Sequence, residues 1–530
     1  MGTSAPDEAD EQRAIAMNGA QSLVATLVNC GIEVCFANPG TSEMHFVAAL
    51  DASPGLRAVL CLFEGVATGA ADGYARIAGK PAATLLHLGP GLANGLANLH
   101  NARRAASPIV NIVGDHSTVH RQYDAPLTSD IVGFARPVSA WIGESTSARG
   151  IAKDAARAVQ AARAAPGGIA TLIVPADTAW GPATNAARPL PDIVAAPAEV
   201  AAIEAVARRL HGGTRSALLL RGAALSRSAL ETAGRIQART GARLLCDTFA
   251  PRVDLGAGCV PVERIPYFGE QIVEFLRELE TLVLVGAKPP VSFFAYPGKP
   301  SWCLPEGCVI LELASVHQDG PAALDALAGA LGAPAAPAMR TPLQLPSLPS
   351  GPLTPASVAQ AIAALTPDDA IFADESATSG APLLRALARA RPHTHLALTG
   401  GSIGQGLPLA VGAAIASGGR RVVSPHGDGG AAYTLQALWT MAREQLDVTV
   451  VLYSNHSYAI LNIELQRVGA AAAGPKALAM LDLHDPELNW TSIAQGFGVE
   501  AQRVTTADQF ASLYAAAMQA PGPRLIEVML

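Results

Sequence analysis

The sequence is poor in charged residues, in aromatic residues and in paired cysteines. Only 15% of its 530 residues are charged and 5% are aromatic, whereas 50% are hydrophobic. The net charge of −7 leaves no basic excess, which argues against dedicated nucleic-acid binding. The seven cysteines form no C-x-x-C pair and their number is odd, so they favour reduced cytoplasmic thiols over a disulfide framework or a zinc site.

Long hydrophobic runs are also missing. No apolar run reaches the ~18 residues that a membrane span requires, and the N-terminal residues are acidic and polar, opposite to a secretory signal. We therefore predict a cytoplasmic protein with no membrane partner. Residues 1–12 are predicted to form a disordered tail, but the high apolar content of the rest excludes a disordered chain.

What the sequence does contain is a regular alternation of short apolar runs and alanine-rich helical segments. Such alternation predicts parallel sheets that are covered by helices on both faces. Proline-rich stretches at 189–197 and 334–355 read as linkers. The prediction is therefore three doubly wound parallel-sheet α/β domains, over residues 13–188, 198–333 and 352–530.

The sharpest local motif is Gly427-Asp428-Gly429-Gly430, which follows a predicted strand. After Gly429 come 24 residues, and then Ser454-Asn455 at the end of the next predicted strand. Parallel strands place both polar groups at the sheet edge where α/β proteins bind ligands. Carboxylate and amide oxygens suit Mg²⁺, and the glycines with the following helix N-terminus suit a phosphate group. The alternative is a tight turn beside a polar strand end.

Two other features allow alternative interpretations. Residues 400–404 fit G-x-S-x-G, and Ser402, Asp428 and His456 follow the chain order of a serine hydrolase. That alternative leaves the Gly-Asp-Gly spacing unexplained. Glu64 begins a predicted helix, where the helix dipole alone would favour a carboxylate.

The Gly427-Asp428-Gly429 and Ser454-Asn455 spacing resembles the motif of thiamine diphosphate (ThDP) enzymes. The usual motif ends in two asparagines, and here Ser454 replaces the first. The resemblance extends over nearly the whole chain and is closest to the branch of benzoylformate decarboxylase and the acetolactate synthase large subunit. It implies a pyrimidine-binding N-terminal domain, a middle domain that is cofactor-free or binds FAD, and a diphosphate-binding C-terminal domain. No clear dinucleotide fingerprint supports FAD here.

The resemblance also implies roles for individual residues. Asp428, Asn455 and the main-chain carbonyl of Ser457 would bind Mg²⁺ against the diphosphate. Glu64 would hydrogen-bond N1′ of the ThDP pyrimidine and so activate the cofactor, with Ile403 holding it in a folded conformation. The other cofactor-binding residues implied are Asn38, Pro39, Gly40, Ala377, Thr378, Gly401, Gly427, Gly429, Gly430 and Tyr458.

The substrate side departs from benzoylformate decarboxylase. His87 matches a proton-transfer histidine of that enzyme, and a histidine suits proton exchange near neutral pH. Thr41 matches the serine with which benzoylformate decarboxylase binds the substrate carboxylate. His116 and His120 are predicted to lie in a loop near the active site. No histidine lies at 291–297, where that enzyme has its second one. Ile460 and Glu464 replace a smaller residue and an aromatic, which argues against a phenyl pocket.

The resemblance predicts a ThDP- and Mg²⁺-dependent enzyme that breaks or forms a C–C bond on a 2-oxo acid, as a decarboxylase or carboligase. Acetolactate synthase itself is the alternative within the family. A non-catalytic ThDP-binding paralogue is an alternative from another class. The family arrangement also predicts a homodimer or homotetramer with active sites at the subunit interface.

Overall fold

The computed structural model describes residues 17–530 except 214 and 471–472, and its three sheets define three α/β domains. Nearly all of the strand pairings are parallel, and helices cover both faces of each sheet, as expected. The predicted tail at 1–12 lies outside the described residues. No helix in the described part of the chain has the length and apolar character needed to cross a membrane.

The N-terminal domain contains a six-stranded parallel sheet with strand order β2-β1-β3-β4-β6-β5. Its strands are β1 (Val34–Asn38), β2 (Arg57–Leu60), β3 (Ala82–Leu86), β4 (Ile109–Asp115), β5 (Trp141–Glu144) and β6 (Ile169–Pro175). Its helices are α1 (Gly19–Asn29), α2 (Met44–Leu50), α3 (Glu64–Ala78), α4 (Leu88–Ala105), α5 (Ile131–Ala135), α6 (Ile151–Arg163) and α7 (Ala176–Trp180).

The middle domain contains a five-stranded parallel sheet with strand order β10-β8-β7-β11-β12. The strands of this segment are β7 (Ser216–Leu220), β8 (Arg243–Cys246), β9 (Val253–Leu255), β10 (Glu263–Arg264), β11 (Thr281–Val285) and β12 (Val309–Ala314). Its helices are α8 (Val200–His211), α9 (Arg227–Thr240), α10 (Gly269–Leu276) and α11 (Gly320–Ala330).

The C-terminal domain contains a seven-stranded sheet with strand order β17-β18-β16-β15-β13-β14-β9. Its own strands are β13 (Ala370–Asp374), β14 (His393–Ala397), β15 (Val422–Gly427), β16 (Val448–Ser454), β17 (Glu500–Val504) and β18 (Arg524–Met529). Its helices are α12 (Pro355–Leu365), α13 (Ala381–Leu387), α14 (Gly406–Ile415), α15 (Asp428–Ala431), α16 (Ala437–Arg443), α17 (Ala459–Arg467), α18 (Pro475–Ala479), α19 (Trp490–Gly496) and α20 (Ala507–Gln519).

One strand crosses between domains. β9 lies in the middle segment of the sequence but pairs antiparallel with β14, so that Leu255 is opposite His393. The C-terminal sheet is therefore parallel except for this added edge strand, which the sequence did not reveal. Three residues with a mixed burial pattern carry too little periodicity to reveal such a pairing.

The N- and C-terminal domains share one hydrophobic core, because α3 packs directly against α14. Glycines allow this close contact. A Cβ atom on Gly73 would collide with the carbonyl of Leu409, and one on Gly412 would collide with the carbonyl of Ala70. The backbones of the two helices therefore touch, which fixes the relative position of the two domains.

A buried ion pair reinforces that contact. Arg76 binds Asp72 through two nitrogens, at 2.8 and 2.6 Å. Arg76 also donates to the carbonyl of Ala397 at 2.8 Å, while Gln405 donates to Asp72 at 2.5 Å. Because both charges are fully buried, removing either partner would leave the other unpaired in the core.

Two predicted helix boundaries were wrong. Gly89, Pro90 and Gly91 favour a loop in the sequence, with a predicted helix only over residues 92–106, but α4 already begins at Leu88. Pro90 is tolerated there because the first turn of a helix does not need its missing N–H. The sequence after the Gly427–Gly430 motif predicts a helix over 433–444, but α16 spans only Ala437–Arg443.

Candidate active site

Asp428 and Asn455 lie together at the carboxyl ends of β15 and β16, two adjacent parallel strands. The Asp428 side chain is 3% exposed and accepts hydrogen bonds from the main-chain N–H of Gly429 and of His456, both at 2.8 Å. Burial raises the pKa of Asp428, and these hydrogen bonds offset it only in part. A cation beside this carboxylate would stabilise its charged form.

The segment after Asn455 folds back around Asp428. His456 adopts a left-handed φ of 50°, which turns the main chain sharply. Asn455 Oδ1 accepts from the Ser457 N–H at 3.1 Å. No described residue donates a hydrogen bond to the Ser457 carbonyl. The three predicted metal ligands therefore offer a carboxylate, an amide oxygen and a carbonyl, which is a donor set that fits Mg²⁺.

The glycines of the motif leave room for a ligand. A Cβ atom on Gly427 would meet nothing within 4 Å, whereas one on Gly429 would lie 2.6 Å from the Tyr458 ring. Gly430 faces Glu375. The predicted diphosphate contacts Ala377 and Thr378 are exposed in a short 3₁₀ helix after β13. All of these residues follow the carboxyl ends of neighbouring strands.

Glu375, which the sequence did not single out, holds the predicted cofactor loop 401–406. Its carboxylate accepts the main-chain N–H groups of Gly404 and Gly406, both at 2.6 Å. The His426 ring lies 3.3 Å from the same carboxylate. Burial opposes protonation of His426, but the charge of Glu375 outweighs it and holds the pKa of His426 above its ordinary value. The loop is therefore fixed by a buried acid–base pair.

Within that loop, Gly401 has a φ of 75°, and Ile403 is half-buried. A Cβ atom on Gly401 would lie 2.8 Å from Cζ of Phe293 in the middle domain. Phe293 therefore lies over the predicted cofactor loop, in the stretch where no histidine was found.

Glu64 is the first residue of α3 and is 7% exposed. Its Oε2 atom accepts a hydrogen bond from Asn94 on α4 at 3.0 Å. A Cβ atom on Gly91 would lie 3.1 Å from Oε1, so the glycine leaves that oxygen accessible on one side. The carboxylate is thus held in place by one neutral donor.

His87 follows β3 and packs against Gly40 of the Asn38-Pro39-Gly40-Thr41 loop. Its Nδ1 atom lies 2.8 Å from Oε2 of Glu43, which is 3% exposed and also accepts the Gly40 N–H at 2.7 Å. Since a carboxylate accepts, Nδ1 carries the proton and Nε2 is the atom left for exchange. The structure thus brings the predicted loop and the predicted proton carrier together.

The remaining residues predicted near the substrate lie at the same sheet edge. Asn38 and Pro39 are half-buried, and Thr41 is exposed. His116 follows β4, and its ring lies 5.4 Å from that of His120. The described residues offer no hydrogen-bond partner to the buried Nε2 atom of His116.

A wall of aromatic side chains extends from the cofactor loop to α17. The Phe293 ring lies 5.4 Å from that of Tyr267. Burial, with the nearby Glu464 charge adding to it, raises the pKa of Tyr267 to about 12. Ile460 is half-buried on the same helix as Glu464. The wall therefore combines aromatic faces with a carboxylate.

Arg467 does not neutralise Glu464, because it is paired elsewhere. It binds Glu270 through two nitrogens at 2.7 and 2.9 Å, which lowers the pKa of Glu270 to about 2. Its guanidinium also lies over the rings of Phe268 and Tyr296, 4.1 and 4.5 Å from their centroids. Glu464 Oε1 is buried, with no hydrogen-bond partner among the described residues.

Within one chain, Glu64 lies apart from the cofactor loop. Glu64 contacts Asn94, whereas the Ser402 carbonyl accepts from Asn101 at 2.8 Å. Both asparagines lie on α4, where seven residues of helix correspond to about 10 Å. The predicted site residues thus form two groups, one on each terminal domain.

The serine hydrolase alternative is wrong. The ring of His456 lies against His484, 4.9 Å away, and its Nε2 atom faces Glu487 at 3.9 Å. Asp428 meets only the main chain of His456. Ser402 and His456 share no hydrogen bond in the described part of the chain, so the three side chains form no catalytic triad.

Sequence reasoning missed Glu43, Asn94 and Glu375, which orient the predicted residues. Glu375 lies two residues before Ala377, a predicted cofactor contact, but no local pattern predicts a role for it, and the same holds for Glu43 and Asn94. No three acidic, histidine or cysteine side chains gather as a metal site in the described residues.

Family models match both terminal domains. The model of the thiamine pyrophosphate enzyme N-terminal TPP binding domain matches residues 17–133, and that of the C-terminal TPP binding domain matches residues 379–528. A solved structure of a thiamine diphosphate-dependent 4-hydroxybenzoylformate decarboxylase from Rhodococcus jostii RHA1 has the same fold. Its TM-score is 0.83 at 23% identity, over 97% of this chain and 99% of that chain.

Two curated relatives extend over almost the entire sequence. The Mycobacterium tuberculosis protein named "Putative acetolactate synthase large subunit IlvX" is 52% identical over 97% of this chain and 99% of its own length. Benzoylformate decarboxylase of Pseudomonas aeruginosa is 29% identical over 94% of this chain and 96% of its own length. Because family models, relatives and fold agree, the chain belongs to the thiamine diphosphate-dependent enzymes, in the group that includes acetolactate synthases and benzoylformate decarboxylases.

Proposed function

We propose that this enzyme uses ThDP with Mg²⁺ to decarboxylate a 2-oxo acid, and that its product is either protonated or joined to a second carbonyl compound. The observation that carries this proposal is the meeting of Asp428 and Asn455 at adjacent strand ends. Their hard oxygen donors and the open space at Gly427 suit a metal-bound diphosphate.

Each predicted residue has a distinct task in this proposal. Asp428, Asn455 and the Ser457 carbonyl bind the metal. The main chain at Gly429 and Gly430, with Ala377 and Thr378, binds the diphosphate. The Gly401 carbonyl, Ile403 and Tyr458 hold the rings. When bound, ThDP supplies a carbon nucleophile and an electron sink, chemistry that protein side chains lack.

Proton transfer falls to the N-terminal domain. Glu64 holds a proton at the pyrimidine ring through a carboxylate that Asn94 orients. His87 exchanges a proton through Nε2, because Glu43 fixes Nδ1 as the donor. A proton carrier beside the substrate favours release of an aldehyde after decarboxylation.

Acetolactate synthesis is the second candidate. It is favoured by the relative at 52% identity, whose name places it among acetolactate synthase large subunits. The two reactions would share the decarboxylation step and differ in whether the remaining fragment is protonated and released or is joined to a second 2-oxo acid.

We further propose that the active site is completed by a second copy of the chain. The resemblance to ThDP enzymes implies that Glu64 meets N1′ and that the Gly401 carbonyl meets the 4′-amino group, so both must approach one pyrimidine ring. Within one chain these two groups lie on different terminal domains, and the resemblance to ThDP enzymes implies that each domain meets the complementary domain of a second chain. A homodimer, or a dimer of dimers, would bring together two complementary halves.

The substrate is proposed to be a small or polar 2-oxo acid rather than benzoylformate. Glu464 brings an unpaired carboxylate oxygen into the aromatic wall, where a phenyl group would need an apolar surface. The cytoplasm is the proposed compartment, supported by seven cysteines that are all free thiols, six of them buried.

The test is a titration of cofactor-free protein with ThDP at several Mg²⁺ concentrations, followed by CO₂ release from a panel of 2-oxo acids. We expect tight ThDP binding only with Mg²⁺, and CO₂ release from pyruvate, 2-oxobutyrate or a polar 2-oxo acid. Product analysis then separates aldehyde from acetohydroxy acid. Binding of ThDP without release of CO₂ from any member of the panel would contradict the proposed reaction.

A further inference from the structure

A second concave site lies at the opposite edge of the C-terminal sheet, where β13, β14 and β15 begin. It encloses about 280 Å³. The C-terminal domain contributes Asp369, His393, Thr394 and Arg420, and the middle segment contributes Arg227, Arg252 and Asp254. Strand β14 has five residues, which span about 17 Å, so this pocket is separate from the carboxyl edge with its predicted diphosphate site.

Two of the arginines are anchored by neutral acceptors. Arg420 donates to the carbonyl of Asp369 and to Oγ1 of Thr394, both at 2.6 Å. Arg252 donates to the carbonyl of Arg76 at 3.0 Å. Burial, and then the positive charge of Arg252, lower the pKa of Arg420. Both side chains are thus held in place, and their two positive charges remain close to each other.

The pocket has an excess of positive charge. Arg227 donates to the neutral Cys259 thiol at 3.6 Å, while the charges of Asp254 and Asp369 act on it only from a distance. Asp254 lies 3.9 Å from Arg252 Nε, but in the described part of the chain neither Arg227 nor Arg420 forms an ion pair. Three guanidinium groups against two carboxylates leave a formal charge of +1 on the lining.

His393 adds a hydrogen-bond acceptor with no partner. Its Nδ1 atom donates to the carbonyl of Arg391 at 2.8 Å, so Nε2 has no proton in the neutral ring. Burial lowers the pKa of His393 to about 4, which keeps the ring neutral near pH 7. The side chain is 4% exposed, and Nε2 has no hydrogen-bond partner among the described residues. Because His393 lines the pocket, a ligand that carries a hydroxyl as well as negative charge would supply the donor that Nε2 lacks.

We propose that this pocket binds a small phosphate-bearing anion, with ionised oxygens on the guanidinium groups and a hydroxyl donating to His393 Nε2. A tetrahedral phosphate offers oxygens in several directions, which matches three arginines that approach from two domains. Hydrogen phosphate carries its own hydroxyl, and a sugar phosphate carries others. A planar carboxylate lacks both the tetrahedral arrangement of oxygens and the hydroxyl.

The test is isothermal titration calorimetry at pH 8 on enzyme saturated with ThDP and Mg²⁺, at constant ionic strength. Saturation blocks any binding of phosphate at the diphosphate site. The titrants are inorganic phosphate, glucose 6-phosphate and sulfate, because sulfate has the charge of hydrogen phosphate without the hydroxyl. We expect one phosphate per chain, with sulfate binding at least about 10-fold more weakly.

Arg227→Gln should weaken phosphate binding by about 10-fold or more, because it removes a charged donor at the surface of the pocket. The control is Arg149→Gln, which removes the same charge from an exposed position in the N-terminal domain and should leave phosphate affinity unchanged. His393→Phe keeps a ring against Phe372, whose centroid lies 5.3 Å away, and should abolish the preference for phosphate over sulfate.

Tighter binding of glucose 6-phosphate than of inorganic phosphate would assign the site to a phosphate ester, and the reverse would assign it to the free ion. The proposal is overturned if the saturated enzyme binds no phosphate, if sulfate binds as well as phosphate, or if Arg227→Gln binds phosphate like the parent. None of these results depends on which 2-oxo acid the enzyme uses.

Discussion

The two terminal domains carry opposite halves of the proposed chemistry. At the carboxyl edge of the N-terminal sheet lie Glu64, His87 and Glu43, all of which can exchange or orient protons. At the same edge of the C-terminal sheet lie Asp428 and Asn455, which offer oxygen ligands. The comparison indicates that anchoring of the cofactor and transfer of protons are separated between domains, so that each can be removed without the other.

The scaffolds themselves do not account for this difference. If β13–β18 are numbered from one to six, their order in the sheet is the same as that of β1–β6, and β9 is the only addition at the edge within the described residues. The topological switch points are therefore equivalent. What differs is the residue that follows each strand, so substitutions at these positions test the comparison directly.

The largest expected effect is that of Asp428→Ala. It removes the only charged ligand of the proposed metal. Loss of a residue that only hydrogen-bonds a metal ligand typically weakens metal affinity about 10–100-fold, so loss of the ligand itself should weaken Mg²⁺-dependent ThDP binding at least about 100-fold. Fluorescence or calorimetric titration with ThDP measures this. The control, Asp368→Ala, removes an exposed carboxylate at the amino edge of the same sheet and should bind normally. Unchanged Mg²⁺ dependence in Asp428→Ala would refute the metal assignment.

Glu64→Gln should separate chemistry from anchoring. Loss of one proton-transferring group typically costs about 10²–10⁴-fold in rate, so kcat should fall in this range while ThDP affinity changes less than about 10-fold. Asn94→Ala keeps the carboxylate and removes only its hydrogen-bond donor, so its loss of kcat should be smaller. If Glu64→Gln loses ThDP binding as completely as Asp428→Ala, the two domains do not divide the tasks as argued.

Mixing the two inactive variants tests whether the halves come from different chains. Random exchange of equal amounts of Glu64→Gln and Asp428→Ala chains gives about half mixed dimers with one intact site each, hence about 25% of the parent activity. The activity is measured after subunit exchange, with each variant alone as the control. No recovery despite demonstrated mixed dimers would show that each site belongs to one chain.

The smallest expected effect concerns the substrate wall. Benzoylformate should have a lower kcat/KM than pyruvate, 2-oxobutyrate or a polar 2-oxo acid at equal cofactor saturation. Glu464→Phe should raise kcat/KM for benzoylformate about 10-fold, because burial of a phenyl group gains about 1–3 kcal/mol. Glu464→Gln serves as the control that removes the charge without adding an apolar face. A benzoylformate value above all others in the parent enzyme would contradict the role of Ile460 and Glu464.

Local sequence patterns predicted the parts of the molecule that depend on local structure. The βαβ unit around Asp428 and Asn455 is predictable, because apolar strands of this length and a glycine-rich turn leave few alternatives. The residues that hold the predicted groups were not predictable. Glu375 reaches Gly404 across 29 residues, and Asn101 reaches Ser402 across 301, and no short-range periodicity reports such contacts.

The pocket at the edge where β13, β14 and β15 begin could not be predicted, for the same reason. Arg227, Arg252 and Arg420 are far apart in sequence and meet only because β9 docks on β14. In the sequence, each of these arginines is typical of an ordinary charged residue on a protein surface. The helix start at Leu88 was missed because glycines and proline usually indicate a loop, whereas here Pro90 occupies a first turn that does not need the N–H that proline lacks.

The docking of β9 on β14 has a consequence for synthesis of the chain on the ribosome. β9 is made roughly 140 residues before its partner, so at about 5–20 residues per second it waits roughly 7–30 s without its neighbour. During that interval its unpaired backbone is exposed to other nascent chains, as any free strand edge is. The middle-domain sheet does not contain β9, so it can form first, whereas the β9 segment reaches its final pairing only after β14 has emerged.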